Sequence, residues 1–411
     1  MNYLVRKLKS PSLKNILWVL LGYGIKQGSQ FFSFILLVRT IGVEGFGAFT
    51  AVLGLSALMS PFVELGGYTL IVRDVHQRNM SLRAAIERSI EISLAVFPLV
   101  FLVVLALKPL LFPTIPWVFV VSITIAELLG NRVIALFYGL NVARGRLQLN
   151  TLVESVAGIS RLLLVLLLAG FHGNANLWSA LYLLQAAVLS IGIIVYLVRH
   201  LGMGLRLRLP DMSELRDSMH FAFGSAAQVA YNELDKVMLA RLSTLADTGL
   251  FSSASRIVNL TTLPLFAVTA SIYPKFFNNK NSNPYEVAFR ILPFTFLYGV
   301  VAAGIIIFLS PFLSKLLGNG FSDVDQAIKI LAIISIFNAI HYPVADSITG
   351  GGKQHFRTQV YVISLIINVS LNMYFIPQFG WRGAAYSTLI TQVLLVTALL
   401  CYAYKQMRGR K

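Results

Sequence analysis

The stretch Leu94-Ala-Val-Phe-Pro-Leu-Val-Phe-Leu-Val-Val-Leu-Ala-Leu107 carries no charged or hydrogen-bonding side chain. It forms most of a longer apolar run, Ile86 to Leu107, which is close to the roughly 20 residues that a helix needs to cross the hydrocarbon core of a bilayer. Lipid offers no hydrogen-bond partner to an exposed backbone, so a single span has to be helical. The stretch therefore predicts a transmembrane helix.

Eleven further runs of similar length fill nearly all of the 411 residues. Hydrophobic residues make up 56% of the chain and charged residues 12%, and the mean hydropathy is +0.73, far from the values of a soluble domain. We expect an all-α membrane protein with twelve transmembrane helices. The other predicted spans are Ile16 to Val38, Phe46 to Ile71, Trp117 to Leu140, Leu152 to Gly170, Leu177 to Val198, Phe221 to Arg241, Leu250 to Ile272, Val287 to Leu309, Ala327 to Thr349, Thr358 to Ile376 and Gly383 to Tyr404.

Basic residues are divided unevenly between the two sets of predicted loops. Of the 34 Lys and Arg, 21 fall in one set, five in the opposite set, and eight within or at the ends of helices. Short basic loops are retained in the cytoplasm, so we expect both termini to be cytoplasmic. The net charge of +17 lies mostly beside helices, where it favours contact with anionic phospholipids over nucleic acid.

The sequence contains an internal repeat. Arg39-Thr-Ile-Gly-Val-Glu-Gly-Phe-Gly-Ala-Phe49 matches Arg241-Leu-Ser-Thr-Leu-Ala-Asp-Thr-Gly-Leu-Phe251 at an offset of 202, with Arg, Gly and Phe in common. At an offset of 207, Gly173 matches Gly380 and Gln185 matches Gln392. Six helices per copy is an even number, so the two copies begin on the same side of the membrane and are parallel repeats.

The repeat predicts three regions and a place for the substrate. We expect an N-terminal six-helix lobe at residues 1–198, a cytoplasmic linker at 199–219 and a C-terminal six-helix lobe at 220–411. Parallel repeats of this kind commonly bind their substrate at the repeat interface. A central cavity between the lobes is therefore expected.

Polar side chains within the spans fall on shared helix faces. In the first span Lys26, Gln30 and Ser33 follow a helical spacing, and the seventh span carries a similar stripe. Such residues either hydrogen-bond to neighbouring helices or line a cavity. The candidate cavity-lining polar residues are Gln30, Ser33, Gln228, Asn232 and Asn259.

Four cations stand at depths where an isolated charge is costly. Lys26, Arg132, Arg161 and Arg256 are candidate contacts for an anionic substrate, and internal ion pairs are the alternative. The carboxylates nearest the expected cavity, Asp235 and Glu127, are candidates for coupling transport to an H⁺ or Na⁺ gradient.

Prolines suggest where helices bend. Pro61 and Pro264 differ by 203 residues, one more than the repeat offset, so the second and eighth spans are expected to share a bend. A hinge and a static kink are both compatible with this pattern.

Catalytic patterns are missing from the sequence. The six histidines are expected in or near loops and have no metal-ligand spacing. Thr349-Gly-Gly-Gly-Lys353 lacks the phosphate-loop pattern and follows a membrane helix. We therefore expect a protein that is not an enzyme and that contains neither a metal nor a cofactor.

Several motifs resemble those of bacterial polysaccharide flippases of the O-antigen type, in the multidrug/oligosaccharidyl-lipid/polysaccharide exporter superfamily. The resemblance covers essentially the whole chain. The residues that carry it are Arg39 to Phe49, Glu64-Leu-Gly66, Arg73-Asp74, Asp235-Lys-Val-Met-Leu-Ala240, Gly249-Leu-Phe-Ser-Ser-Ala-Ser-Arg256 and Gly380-Trp-Arg-Gly-Ala-Ala385.

This resemblance implies a transport function in polysaccharide biosynthesis. It implies that an undecaprenyl-pyrophosphate-linked oligosaccharide moves from the cytoplasmic to the periplasmic leaflet of the inner membrane, through a central cavity lined by helices one, two, seven and eight. Lys26 occupies a place comparable to that of cations thought to contact the pyrophosphate in related flippases. Glycan polymerase and chain-length machinery are the implied protein partners.

Two alternatives are left open by the sequence. A multidrug exporter of the same superfamily would favour acidic residues in its cavity, whereas the charges inside the spans here are mostly basic. An integral membrane glycan polymerase would usually carry a large periplasmic loop, whereas every predicted outer loop is short.

Overall fold

The computed structural model describes residues 11–76, 79–144, 146–201, 212–277, 283–318 and 320–408. These ranges are almost entirely helical and contain no β-strand. The first half contains α1 (Pro11–Glu64), α2 (Gly67–His76), α3 (Leu82–Leu111), α4 (Trp117–Ile125), α5 (Asn131–Ala143), α6 (Leu147–Gly170) and α7 (Ala175–Leu201), with a π-helical turn, Ala126–Gly130, between α4 and α5. The second half contains α8 (Met212–Leu242), α9 (Leu245–Asn259), α10 (Thr262–Phe276), α11 (Pro284–Leu317), α12 (Val324–Gly350), α13 (Gln354–Phe379) and α14 (Trp381–Arg408).

The helices account for every predicted span. Within the described residues, nine helices are long and apolar enough to cross a membrane. Counting the bent pair of α9 and α10 as one span brings the number to ten. The first predicted span and most of the second lie in α1, the second ends in α2, and the seventh lies within α8. The chain is therefore an all-α membrane protein that spans the bilayer several times, as the sequence predicts.

A break inside α1 separates the first two predicted spans. Gly42 adopts φ 75° and ψ 177°, which is non-helical and outside the range that residues with a side chain readily adopt. In the second half α8 ends at Leu242, and the Thr244 side chain caps α9 by accepting a 3.0 Å hydrogen bond from the Asp247 backbone N–H. Positions 42 and 244 are related by the repeat offset of 202. The helices of the two halves are therefore interrupted at equivalent positions, by a glycine with positive φ in the first half and by a new capped helix in the second.

The predicted bend of the eighth span is present, whereas the first half bends after Pro61 by other means. In the second half α9 and α10 are bent by 43° across a break that begins at Leu260. Pro264 lacks the N–H that would bond to the Leu260 carbonyl, so the proline accounts for a break there. In the first half Pro61 lies inside α1, and the chain leaves the helix at Leu65 and Gly66, both with positive φ, before the helical path resumes as α2.

The chain divides into two compact units. Unit 1 comprises Met1–Gly45 and Val52–Ala226, and unit 2 comprises Phe46–Ala51 and Ala227–Lys411. Residues 202–211 of the predicted cytoplasmic linker lie outside the described residues, and the predicted domain boundaries stay a prediction.

Each unit packs helices around its own apolar core. In unit 1 the core brings together α2, α3, α5 and α7, through Ile71, Ala85, Ile86, Leu136, Phe137, Leu140, Ile193 and Leu197. In unit 2 the core joins α11, α12, α13 and α14, through Tyr285, Val344, Ala345, Ile348, Val360, Leu395, Val396, Leu399 and Ala403. These frameworks position the polar side chains of the two units.

A glycine allows a close approach within unit 2. A Cβ atom on Gly47 would overlap the carbonyl group of Leu245 and would lie 2.9 Å from the backbone nitrogen of Gly249. Gly47 and Gly249 are the matched glycines of the repeat at an offset of 202. The short segment Phe46–Ala51 therefore packs backbone to backbone against the start of α9.

Candidate functional site

Unit 2 contains a polar cavity of about 530 Å³. Its wall combines residues of α8, α9, α10, α12, α13 and α14. Of the residues predicted from the sequence, the cavity brings together Gln228, Asn232, Asp235 and Asn259. The other polar wall residues are Tyr231, Glu233, Lys236, Ser255, Thr262, Thr269, Asn338, His341, Tyr342, Asp346, Arg357, Tyr361, Thr388 and Gln392.

Asp235 is buried and held by neutral donors. Asn372 Nδ2 donates a 2.6 Å hydrogen bond to Asp235 Oδ1, and Thr388 Oγ1 donates a 3.0 Å bond to Oδ2. Asn372 Nδ2 also donates to Asn368 Oδ1 at 3.0 Å. The remaining amide oxygen of Asn372 is buried without a hydrogen-bond partner. Each oxygen of this buried carboxylate therefore accepts a hydrogen bond from a neutral side chain.

Two ion pairs neutralise charge at the cavity wall. Lys236 Nζ lies 2.6 Å from Glu233 Oε2, one turn away on α8. Arg357 Nη1 lies 3.4 Å from Asp346 Oδ1 and donates a 2.9 Å hydrogen bond to Thr349 Oγ1. These pairs leave the wall dominated by amide and hydroxyl groups.

Amide and phenol groups form connected hydrogen bonds along the same wall. Tyr231 Oη donates to Gln392 Oε1 at 2.6 Å, and Gln392 Nε2 donates to Asn338 Oδ1 at 2.9 Å. His341 Nε2 lies 2.7 Å from Tyr361 Oη. His341 is buried inside α12, so its predicted position in or near a loop is wrong. Such groups can both donate and accept hydrogen bonds to sugar hydroxyls.

In unit 1, Lys26 forms an ion pair. Its Nζ lies 2.8 Å from Glu154 Oε2, and the two side chains are 21% and 18% exposed. Tyr138 Oη donates a 2.5 Å hydrogen bond to Glu154 Oε1. Gly158, one turn beyond Glu154, allows α6 to approach the Lys26 backbone closely.

Arg161 and Glu127 belong to a second network of unit 1. Arg161 Nε lies 3.4 Å from Gln185 Oε1, and its guanidinium stands 5.0 Å from the centre of the Tyr182 ring. Tyr182 Oη donates a short hydrogen bond to Glu127, and Asn131 Nδ2 donates to the same carboxylate at 2.7 Å. Glu127 lies in the π-helical turn, a feature that is frequent at functional sites.

Arg132 lies apart from these networks, beside an apolar groove. Its Nη2 donates to Ser89 O at 2.7 Å and to Ser89 Oγ at 2.5 Å. Nε and Nη1 are buried without hydrogen-bond partners. The groove of about 420 Å³, which Arg132 lines together with residues of α3, the π-helical turn and α7, is almost entirely apolar. The guanidinium thus lacks part of its hydrogen bonds in an apolar environment, where a buried charge is costly.

The remaining predicted residues have different surroundings. Arg256 is exposed in the last turn of α9. Gln30 is half-buried on α1, and Ser33 is buried and donates a 2.6 Å hydrogen bond to the Ser29 carbonyl. The hydroxyl of Ser33 is therefore used within its own helix.

Sequence reasoning missed much of the unit 2 cavity wall. The site residues predicted from the sequence do not include four members of this wall, Arg357, Tyr231, Tyr361 and Asn338, and the sequence predicts His341 in or near a loop. One usable signal was the match of Gln392 to Gln185 at the repeat offset of 207, because both glutamines anchor polar networks.

Comparison with known proteins identifies the family. The model of a family described as polysaccharide biosynthesis protein matches residues 12–280, more than half of the chain. The chain belongs to this family. A second model, MatE, matches residues 221–374. The resemblance predicted from the sequence motifs is therefore confirmed at the level of the family.

One curated relative matches part of the chain. The probable low-salt glycan biosynthesis flippase Agl15 of Haloferax volcanii is 23% identical over 222 residues, which is 51% of this chain and 47% of that protein. The match thus spans about half the length of each protein.

Solved structures share the fold. Lipid II flippase MurJ in an inward closed conformation has a TM-score of 0.74 at 15% identity, covering 94% of this chain and 87% of that one. The inward-facing conformation of a multidrug resistance MATE family transporter of the MOP superfamily has a TM-score of 0.68 at 15% identity, covering 95% and 98%. At this identity the likeness extends to the fold alone.

Proposed function

We propose that this protein is a flippase for an undecaprenyl-pyrophosphate-linked oligosaccharide, such as an O-antigen repeat unit. The substrate moves from the cytoplasmic to the periplasmic leaflet of the inner membrane by alternating access, and both termini of the chain are cytoplasmic. Membership of the polysaccharide biosynthesis family and the partial match to a probable glycan biosynthesis flippase support this proposal. Transport changes the position of the substrate without changing its bonds, so no catalytic group is required.

The observation that carries the proposal is the chemistry of the unit 2 cavity. Its Lys236 and Arg357 are paired with carboxylates, and the buried Asp235 is satisfied by two neutral donors. What remains at the wall is a set of amides and phenols that match neutral sugar hydroxyls. A cationic drug would instead need a carboxylate that is not already satisfied.

The pyrophosphate is assigned to the cations of the predicted site. Lys26 and Arg161 in unit 1 and Arg256 in unit 2 are the proposed contacts, because partly exposed cations can exchange protein partners for phosphate oxygens. Arg132 is a further candidate, although its guanidinium is bonded to Ser89.

Transport against a gradient requires an energy source. Asp235 and Glu127 are the proposed carboxylates for coupling to H⁺ or Na⁺, since both are buried and held by neutral side chains. Anionic phospholipids are proposed to contact the basic loops. Glycan polymerase and chain-length machinery are proposed to receive the product.

The first test is disruption of the gene. The expected result is accumulation of a lipid-linked saccharide on the cytoplasmic face, identified by mass spectrometry and by its accessibility to a non-permeant glycosidase. Accumulation of the same saccharide in the periplasmic leaflet would refute the flippase assignment and favour a polymerase. A purified polymerase would also lengthen the glycan, whereas a flippase changes only its leaflet.

A second test addresses the site. Cells complemented with Lys26→Ala, Arg256→Ala and the double variant are expected to lose surface glycan progressively at normal expression. Lys329→Ala, which removes a cation from the exposed pair with Asp325, is the charge control and is expected to behave as wild type. Intact glycan assembly in the double variant would contradict the role of these cations.

A multidrug exporter is the second candidate, because the unit 2 cavity contains Glu233, Asp235 and Asp346. A drug-susceptibility panel on the disrupted strain separates the two functions. Increased susceptibility to cationic drugs with normal surface glycan would favour the exporter.

A further inference from the structure

The Lys26–Glu154 ion pair is present in only one of the two repeats. At the offset of 202 Lys26 corresponds to Gln228, and at the offset of 207 Glu154 corresponds to Tyr361. Both counterparts are uncharged. The second repeat thus builds the same helices without an ion pair at these positions, so the fold does not require one.

The second repeat also lacks the donor to the acidic residue. In unit 1 Tyr138 donates a hydrogen bond to Glu154. At the offset of 207 Tyr138 corresponds to Ala345, whose side chain cannot donate a hydrogen bond. The group formed by Lys26, Glu154 and Tyr138 is therefore specific to unit 1.

The geometry gives Glu154 two separate attachments. One oxygen, Oε2, contacts Lys26 at 2.8 Å, and the other, Oε1, accepts the hydrogen bond from Tyr138. Losing the Lys26 contact would leave the carboxylate bonded to Tyr138. Both charged side chains are partly exposed, so an incoming anion can reach the ammonium group.

We propose that Glu154 is a built-in competitor for Lys26 that keeps the phosphodiesters of bulk phospholipids from occupying the ammonium group and gives way to the pyrophosphate of the substrate. This inference rests on the proposed flippase function. An anion must displace the carboxylate before it can bind, and Tyr138 holds the displaced carboxylate in place. A pyrophosphate diester carries about two negative charges and a phosphodiester one, so Coulomb attraction to the cation favours displacement by the pyrophosphate.

A bilayer presents many phosphates that compete for a cation. Phospholipid phosphates greatly outnumber a biosynthetic intermediate, and a bare ammonium group would be occupied by them. A resident carboxylate lowers the affinity for every anion, so the phosphodiester, which binds Lys26 more weakly, no longer occupies the site, whereas the pyrophosphate still does. Glu154 therefore determines which anion occupies Lys26 and is not itself a contact of the substrate.

The test measures binding of farnesyl pyrophosphate to the full-length protein in nanodiscs. In phosphatidylcholine nanodiscs Glu154→Gln is expected to bind the probe about three- to tenfold more tightly, as for removal of a partly exposed ion pair. Inclusion of phosphatidylglycerol is expected to weaken probe binding more in Glu154→Gln than in wild type and so to reduce this gain. Gln retains an oxygen that can accept the hydrogen bond from Tyr138.

Two further variants make the result specific. Lys26→Gln is expected to weaken binding, and the double variant Lys26→Gln/Glu154→Gln is expected to show no gain over Lys26→Gln. Glu87→Gln removes the same charge from an exposed Arg83 pair of unit 1 and is expected to bind as wild type. A gain in affinity for the probe that persists without Lys26 would overturn the proposal, because the gain would then come from a general change in the electrostatic potential of the protein.

The remaining outcomes separate this inference from the proposed function. Weaker or unchanged binding in Glu154→Gln, together with weaker binding in Lys26→Gln, would overturn the competitor role while leaving Lys26 as a pyrophosphate contact. Equal binding in wild type and Lys26→Gln would overturn the competitor role too. In either case a leaflet assay with the lipid-linked oligosaccharide would still decide the flippase function.

Discussion

Asn372 Nδ2 donates a 2.6 Å hydrogen bond to Asp235 Oδ1, joining α13 to α8 inside unit 2. Thr388 of α14 donates to the other carboxylate oxygen at 3.0 Å. Three helices therefore converge on one buried carboxylate, so the proposed binding of H⁺ or Na⁺ there would change how those helices pack.

The first prediction concerns this carboxylate. We expect Asp235→Asn to fold and to lose the response of transport to an imposed H⁺ or Na⁺ gradient, because an amide binds neither ion as a carboxylate does. Flipping of lipid-linked oligosaccharide in proteoliposomes measures the response. Thr388→Val, which removes one hydrogen bond and keeps the charge, is the control and should retain it. An unchanged gradient response in Asp235→Asn would rule out coupling at this residue.

The second prediction concerns the unusual setting of Arg132. We expect Ser89→Ala to lower the free energy of unfolding by about 1–3 kcal/mol, because a buried guanidinium with two unpartnered nitrogens loses a further hydrogen bond. In an Arg132→Leu background the same serine change should cost almost nothing. Thermal unfolding in detergent of wild type, the two single variants and the double variant measures the interaction energy between Ser89 and Arg132. Equal effects in both backgrounds would contradict the structure.

The third prediction concerns the close approach at Gly47. Ala at this position would place its Cβ against the carbonyl of Leu245, so we expect a loss of about 1–3 kcal/mol and a lowered midpoint of thermal unfolding. Gly192→Ala is the matched control, since nothing lies within 4 Å of a Cβ there. That variant should be neutral or slightly stabilising. A similar loss in both would indicate a general intolerance of substitution rather than a steric contact.

The fourth prediction compares the two equivalent breaks. Gly42→Ala should cost about 1–3 kcal/mol, because φ 75° with ψ 177° is nearly restricted to glycine. Thr244→Ala should cost about 1 kcal/mol, because it removes the cap on Asp247. Thermal unfolding in detergent ranks the two variants. A larger loss in Thr244→Ala would show that the glycine conformation is not the principal constraint.

The sequence predicted the fold because lipid leaves few options. An apolar run of about 20 residues has to be helical, so composition and length alone located the helices. Periodicity also placed Gln228, Asn232 and Asp235 on one face of α8, and the structure brings these side chains to the same cavity wall. The repeat at an offset of 202 indicated the duplication, and the structure shows that positions 42 and 244, which this offset relates, are both helix breaks.

The partners of the charged residues were not available from local patterns. Lys26 and Glu154 are 128 residues apart (154 − 26), and Asn372 reaches Asp235 from 137 residues away. Spacing along one helix says which side chains share a face, but not which face of another helix lies opposite. The bend of the first half lies at Leu65–Gly66 rather than at Pro61, whereas that of the second half lies one turn before Pro264.

The sequence by itself therefore determined that the chain is a helical membrane protein with an internal repeat. The length of the apolar runs, the uneven distribution of basic residues and the repeated motifs can all be read from the chain alone. Only the tertiary structure decided that Lys26 is paired with Glu154, that Arg132 is bonded to Ser89 beside an apolar groove, and that amides and phenols form the wall of a cavity in unit 2. These relationships depend on how distant helices pack, and the side-chain contacts that fix such packing are made between residues far apart in the chain.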